Sequence, residues 1–563
     1  MQPPSFLGFK DYNPVQEQAL ATGFIANHAN LVLAAATGSG KTAVAMLAAQ
    51  KAIEEGGKVL YTCPLKALAS EQFETFKSLP GARVSLSVGG LDSRDPWLGN
   101  YDVIITTMEK ADSLMRHKAH WIPLVKLLIV DEVHLLDSDR GPTLEALVAR
   151  FRHLFPRVQV LALSATIPNA REIADWLDAQ LVESSWRPTR LVKGVYTEPV
   201  LETTDGTRQL SSSEQVPIAQ LVEDTISRGG CSLVFVNTRK SAAATAERLR
   251  PLVAKHSDKK ALAELADKVE NVLESPTRQC KQLAACVRSG VAFHTAGLVH
   301  EQRSLIEKAF KERVIKAICA TPTLALGVNL PAETVIMAQM TRYTVNGVAP
   351  IPVREYLQCV GRAGRPQYGK DGLGVMVARN ASEKEAFWQR YVLGEPEKVE
   401  SQLGWEPVLR MQLLASVAMG FTPTRERLSE FLMHSFYAHQ YGELASLMSK
   451  ADRIIQELVG FGFVEVNDGL LSATPLGRRV SELYIDPLSA VKVLKTLRER
   501  HPQTAGLLYM LSNTEELRPH LKATPKEEAE LWTQAYSREK ELGIDAVLMG
   551  FEDYDFLDKY KTT

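Results

Sequence analysis

Three short stretches hold the residue types that handle phosphate. "AAATGSGKT" (34–42) carries Gly38 and Gly40, whose freedom lets successive backbone N–H groups turn toward an anion. Lys41 adds a point charge, and the Thr42 hydroxyl is placed to ligate magnesium. Thr37, Ser39 and the loop backbone complete a site for the phosphates of a nucleotide. Ala35 stands where the strict phosphate-loop pattern has its first glycine, so the match is one residue short. "LLIVDEVH" (127–134) sets Asp131 and Glu132 at the end of an apolar run. Two adjacent acids there need a cation or a proton, and the chemistry assigns Asp131 to magnesium and Glu132 to orienting and deprotonating a water. His134 either couples this site to another domain or simply packs.

"EYLQCVGRAGRP" (355–366) brings Gln358, Arg362 and Arg365 close together on slim backbone. Neighbouring guanidiniums repel unless an anion lies between them, and they grip phosphate in a bidentate fashion. Taken alone the stretch reads equally well as a solvated turn. Beside a phosphate loop and a paired-acid strand, Arg362 and Arg365 become candidates for arginine fingers on a γ-phosphate, worth about 10³–10⁵ in rate.

These groups act only if the elements carrying them are brought together. Strands are expected at 30–35, 58–63, 101–107, 127–132 and 158–165, with helical stretches such as "TAVAMLAAQKAIEEG" between them. Strands alternating with helices of this length build a parallel sheet. A second series follows: "CSLVFVNT" from Cys231, then 291–297, 315–323, 334–340 and 374–379. Two α/β domains in tandem are expected, with polar "TTDGTRQLSSSEQ" (203–215) as a linker or surface excursion. "MTRYTVNGVAPIPV" (340–353) has β-type residues around an Asn-Gly turn, the pattern of a hairpin. After about residue 400, three helical patterns fill 405–459 and two short strands flank an Asn-Asp-Gly turn within 460–477. That suggests a winged helix, followed by helices from Asp486.

The totals agree with several domains. The chain has 563 residues, 45% hydrophobic and 23% charged, and its net charge is −1. No global basic field announces a nucleic-acid partner, although a locally basic channel is compatible with neutrality. Six cysteines (63, 231, 280, 286, 319, 359) contain no CxxC pair and read as reduced core thiols. No apolar run approaches transmembrane length and "MQPPSFLGFK" lacks a signal-peptide core, so a cytoplasmic protein without membrane association is expected, nucleoid-associated if prokaryotic.

The ordered set of motifs resembles superfamily 2 helicases. "PVQEQAL" (14–20) looks like the Q-motif, which implies that Gln16 reads adenine. "PLKALASEQ" (64–72) and "TTMEKADSL" (106–114) look like strand-contacting motifs, "SAT" (164–166) like the coupling motif, and "LVFVNTRKSA", "TPTLALGVNLPA" and "QCVGRAGRP" like the fourth to sixth. "DEVH", "FHTAGL" and "GVNLPA" are similar to the Ski-type branch. "EKADSL", "WRPTRL" (186–191) and "PLGRRVSELYIDP" (475–487) are similar to archaeal and eukaryotic HelQ-type DNA helicases. The resemblance implies two RecA-like domains (1–197 and 198–402), a winged helix (403–486) and a helical ratchet-like domain (487–563). It implies ATP and Mg2+ as cofactors, with Lys41, Asp131, Glu132, Gln358, Arg362 and Arg365 catalytic. Lys66, Thr107 and Thr323 match strand-contacting positions, and the 340–353 hairpin matches the strand-separating element, a bland edge hairpin being the alternative. Thr295 stands where such proteins often have histidine, and no role is transferred to it. Because the family continues beyond this point, the ratchet-like domain is expected to be incomplete.

The function implied is 3′–5′ translocation on single-stranded and forked DNA in replication-coupled repair or recombination. The protein would act as a monomer, with single-strand-binding or replication and recombination proteins as partners. Alternatives are an RNA helicase of the same branch and an ATP-switched nucleic-acid clamp. The 405–485 region has no room for the long insertion many RNA-selective relatives carry. A small-molecule kinase is disfavoured by the second α/β domain. The winged helix reads as DNA contact or as a spacer, with the spacer favoured because its recognition-helix candidate is not markedly basic. The acidic end "GFEDYDFLDKY" (550–560) reads as a solvated face.

Overall fold

The computed structural model describes residues 2–212, 214–322, 324, 330–344, 347–364, 371–499, 503–518, 520–543 and 555–563. Arg365, Thr323 and the turn at 345–346 lie outside them.

Seven strands form the first sheet: β1 (Asn30–Ala35), β2 (Lys58–Cys63), β3 (Val84–Ser87), β4 (Val103–Thr107), β5 (Val125–Val130), β6 (Gln159–Ser164) and β7 (Ala179–Ser184). All pairings are parallel, in the order β3-β4-β2-β5-β6-β1-β7. The central strands are almost wholly buried, as a sheet covered on both faces requires. β1 and β5 both end at the carboxyl edge, so the phosphate loop and the acid pair emerge on the same side, where ligands of parallel sheets collect.

The second sheet begins with β8 (Leu191–Thr197), β9 (Val200–Thr203) and β10 (Gly206–Gln209). It continues through β11 (Ser232–Phe235), β12 (Val291–His294), β13 (Ala317–Ala320) and β14 (Thr334–Met337). A separate antiparallel hairpin, β15 (Thr341–Thr344) with β16 (Gly347–Pro350), precedes the last strand of the sheet, β17 (Gly372–Val377). The order is β10-β9-β8-β17-β14-β11-β13-β12. β8 pairs with β17, so Leu191–Thr197 is a strand of the second sheet. Part of the 203–215 segment forms the antiparallel edge β9–β10.

The winged-helix region holds helices Glu406–Met419, Arg425–Met433, Phe436–Tyr441 and Leu444–Gly460, one short helix more than the sequence pattern predicts. The hairpin β18 (Val464–Asn467) and β19 (Leu470–Ala473) follows, then helix Pro475–Glu482. This region is set into the first domain. Val399, Ala415, Met419 and Phe436 share an apolar cluster with Leu144, Leu147 and Trp176. A buried ionic network crosses the same seam. Asp112 accepts from Arg116 Nε at 2.8 Å, from Tyr484 Oη at 2.5 Å and from Arg150, whose Nη2 also donates to Gln412 Oε1 at 2.7 Å. Burial pushes the Asp112 carboxyl up, but Arg116 and Arg150 outweigh it and hold it below the usual range.

Helix Pro487–Glu499 packs into the winged-helix core through Ala490, and the helices from Thr504 onward form a small cluster of their own around Tyr509, Ala535, Leu542, Phe556 and Tyr560. Part of the acidic end is therefore core: Phe556 is 1% exposed and stacks on Trp532. All six cysteines are buried as thiols, none in a disulfide. Among the described residues no helix is long and apolar enough to cross a membrane.

Candidate nucleotide and nucleic-acid sites

The phosphate loop is shaped by backbone that only glycine adopts readily. Gly40 has φ +83°, and a Cβ there would meet Gln16 Nε2 at 2.5 Å and Asn13 Nδ2 at 2.9 Å. Asn13 caps the helix Pro14–Ala21 and donates to Ser39 O at 3.0 Å, so the first helix is tied directly to the loop. Gln16 serves both ends of this tie. Its Oε1 accepts from Asn13 N–H at 3.0 Å and its Nε2 donates to Gly40 O at 3.3 Å. Lys41 opens helix Lys41–Glu54 with Thr42 next to it, and its Nζ donates to Ala35 O at 2.7 Å and Ala36 O at 3.1 Å. Burial lowers the Lys41 pKa, while Glu132 and then Asp131 oppose that shift. Ser39 Oγ is buried without a hydrogen-bond partner.

Asp131 follows β5 directly. Its carboxylate accepts from Tyr61 Oη at 2.9 Å and from Glu132 N–H at 3.0 Å. Burial, then the neighbouring Glu132 carboxylate, pushes its pKa up to about 7. Such a carboxylate gains from a hard cation, and with the Thr42 hydroxyl it supplies the oxygen donors that suit magnesium. The residues therefore fit a nucleoside triphosphate with Mg2+. Glu132 sits at φ +54°, in the left-handed region that a non-glycine residue occupies only when its surroundings hold it there.

His134 joins three motifs. Its ring is wholly buried, and burial lowers its pKa to about 4, so it is neutral near pH 7. Nδ1 lies 3.3 Å from both Ala165 N and Glu132 Oε2. Nε2 lies 2.5 Å from the Gln358 side-chain amide. The "DEVH", "SAT" and "QCVGRAGRP" stretches thus touch through one imidazole, and Gln358 is placed on His134. Arg362 is partly buried on the same wall. Burial lowers its pKa, Glu132 and Glu71 oppose that, and its charge is close enough to lower the pKa of Lys41.

The two α/β domains face each other here across a cavity of about 170 Å³ lined by Thr37, Thr166, Arg187, Arg354, Gln358 and Gly361. Arg187 Nη2 donates to Gly361 O at 2.9 Å and Ala363 O at 3.3 Å, holding the sixth motif by its backbone. Arg354 pairs with Asp137, just past the "DEVH" stretch, with the side chains 12% and 17% exposed. Sequence reasoning missed both arginines as site residues. Arg187 lay within "WRPTRL", quoted only as a family mark, and Arg354 carried no local signal.

A second, larger cleft of about 760 Å³ separates the same two domains on another face. Lys66, Thr107 and Arg140 line one wall; His294, Thr295 and Arg303 line the other. Lys66 and Thr107, expected as strand contacts, therefore share one cleft. Arg140 and Arg303 were not anticipated.

A family model described as DEAD/DEAH box helicase matches residues 13–173, and one described as helicase conserved C-terminal domain matches 217–367. Similar curated proteins are named ATP-dependent DNA helicase Hel308. The one from Methanocella arvoryzae is 41% identical over 528 residues, 91% of this chain and 70% of the relative. That from Pyrococcus horikoshii is 41% identical over 565 residues, 99% of this chain and 77% of the relative. That from Methanococcus vannielii is 33% identical over 588 residues, 93% of this chain and 78% of the relative. With both helicase models matched in order around a shared phosphate site, the chain belongs to the Hel308 family of ATP-dependent DNA helicases.

Proposed function

We propose that this protein moves 3′ to 5′ along single-stranded DNA and opens forked DNA, using ATP hydrolysis at the interface between its α/β domains. The observation that carries this reading is the meeting of Lys41, Asp131 and Glu132 of one domain with Gln358 and Arg362 of the other, through His134. Bound Mg-ATP supplies the phosphoanhydride whose cleavage drives motion. Lys41 and the loop N–H groups hold the phosphates, while Thr42 and Asp131 provide oxygen donors for the cation. Glu132 orients water and takes its proton on the carboxylate. Arg362, with Arg365, neutralises charge developing at the transferred phosphoryl group. Gln16 links recognition of adenine to the loop it already touches.

Neutral His134 passes closure at Gln358 to the "SAT" loop without a charge of its own to solvate. The larger cleft is the path of the strand, because contacts to the phosphate backbone ignore sequence and suit translocation. The β15–β16 hairpin stands as the strand-separating element. The protein acts as a monomer in the cytoplasm or nucleoid, alongside single-strand-binding or recombination proteins. The recognition-helix candidate Leu444–Gly460 serves as a spacer: its Arg453 is engaged by Glu406 Oε2 at 2.6 Å, and its Asp452 by Arg425 at 2.7 Å.

Steady-state hydrolysis with single-stranded DNA, single-stranded RNA or neither, paired with displacement of a fork bearing a 3′ tail, tests the reading. DNA-selective stimulation with displacement is expected, and Lys41→Ala should abolish both. Stimulation by RNA alone would overturn the DNA assignment, and DNA stimulation without displacement would leave a translocase or clamp.

A further inference from the structure

We propose that Arg187, in the segment joining the two α/β domains, is a positioning residue for ATP hydrolysis: it clamps the backbone on both sides of Arg362 and so fixes where that guanidinium meets the nucleotide. Arg187 lies between β7 of the first sheet and β8 of the second. Its Nη2 donates to Gly361 O at 2.9 Å and to Ala363 O at 3.3 Å, the two carbonyls that flank Arg362. The carbonyl between them is engaged as well, because Arg362 O accepts Ala332 N–H at 3.0 Å. Arg362 N–H in turn donates to Cys359 O at 3.1 Å. The backbone that carries the Arg362 side chain is therefore held by three separate pieces of chain, and Arg187 supplies the hold from the joint.

The same segment closes on the sixth motif a second time. Gly364 has φ +103°, and a Cβ there would collide with Oγ1 of the buried Thr189. Arg187 also lines the small cavity with Thr37 of the phosphate loop, Gly361 forming part of the same wall. A cation suits this place, because the carbonyl dipoles of helix Val353–Val360 converge just before Gly361. A neutral donor on the second domain could satisfy the same carbonyls. Arginine from the joining segment adds reach, so the position of Arg362 is referenced to the chain that links the domains as well as to the second domain. Movement at the joint then shifts Arg362 relative to Lys41 and Glu132, whose charges it already feels.

The inference rests on the reading of Arg362 as an arginine finger, and a double-mutant cycle keeps the two apart. ATP hydrolysis with single-stranded DNA is measured for Arg187→Ala, Arg362→Ala and the double variant in the full chain, with thermal unfolding as a check on each. Misplacing a reacting group by about 1 Å can cost about 10²-fold in rate. Arg187→Ala should therefore lower kcat on the order of 10²-fold, while KM for ATP changes less than about threefold. A residue that acts through Arg362 has little left to do once Arg362 is gone. In the Arg362→Ala background the second substitution should cost less than about threefold more. A merely structural role would lower the unfolding temperature and leave kcat unchanged, and that result would overturn the proposal. So would a loss confined to KM, or equal losses with and without Arg362. Normal hydrolysis by Arg362→Ala would overturn the finger itself, and this inference with it. If Arg187→Ala does not fold, Arg187→Lys, which keeps the cation but not the planar fork, enters the same cycle with a smaller expected loss and the same coupling.

Discussion

The first α/β domain meets the winged-helix region and the second α/β domain in opposite ways. Toward the winged helix it shares apolar core: Phe436 is wholly buried against Trp176, with ring centroids 5.1 Å apart, and Ala146 and Ala149 sit among the winged-helix core residues. Toward the second domain, among the described residues, it shares no apolar cluster. Among the described residues, the buried members of that domain's core cluster run from Val195 to Val392. The contacts across this second seam are polar: His134 with Gln358, Asp137 with Arg354, and Arg187 with two carbonyls. A dry seam resists parting because every opening exposes hydrocarbon to water. Polar contacts exchange for water at small net cost, so the second seam suits repeated opening and closing. The first domain and the winged-helix region thus share one dry seam, whereas the second domain is joined to the first by polar contacts.

The sharpest way to break this comparison is to uncouple the dry seam. Arg150→Ala leaves buried Asp112 short of one guanidinium and should cost roughly 3–5 kcal/mol in chemical denaturation. A loss below about 1 kcal/mol would mean that the seam is not a weld.

A second probe is Glu145, which is wholly buried, accepts from Ser401 Oγ at 2.6 Å and Tyr437 N–H at 2.8 Å, and has its pKa pushed up to about 7 by burial. The folded protein keeps a proton that the unfolded chain gives up near pH 4.5. The group's contribution is thus full below pH 4.5 and falls as pH rises, by at most about 1.4 kcal/mol per unit, until it is lost above pH 7. Unfolding free energies of Glu145→Gln, which cannot ionise, should gain on wild type across that window and run parallel to it above. A constant difference from pH 5 to 8 would remove Glu145 from the account.

Weaker effects belong to the polar seam. Arg354→Ala should change global stability little while lowering kcat/KM for ATP about tenfold, roughly 1.4 kcal/mol of closure free energy. Asp137→Arg combined with Arg354→Asp should recover part of that loss, and no recovery would mean that the pair does not hold the domains. Smallest of all, Arg453→Ala on the exposed winged-helix face should change DNA affinity less than about twofold. A larger loss would make Leu444–Gly460 a DNA-contacting helix.

Much of the α/β core was legible because its signals are local. β1, β2 and β5 are apolar runs whose pattern comes from burial on both faces, and the phosphate loop is a string of neighbours. β7, β8 and the β9–β10 edge were not legible as sheet members. β8, "LVKGVYT", carries a lysine and a glycine, and its place beside β17 depends on residues near 372–377. The catalytic neighbourhood divides in the same way. Asp131 and Glu132 announce themselves by following an apolar strand, whereas Arg187 and Arg354 look like any surface arginine until chain from another domain comes alongside.

By itself, the sequence determined the chemistry on offer: a phosphate loop, a paired-acid strand and an arginine-rich stretch, each set by neighbouring residue types. Two tandem parallel sheets and the hairpins followed from periodicity and turn residues. Only the tertiary structure decided which groups share a site, because His134 and Gln358 lie far apart in the chain, as do Asp137 and Arg354. It also decided which seam is dry and which is wet. That distinction depends on what each surface residue packs against, and no local pattern of one chain segment contains its partner.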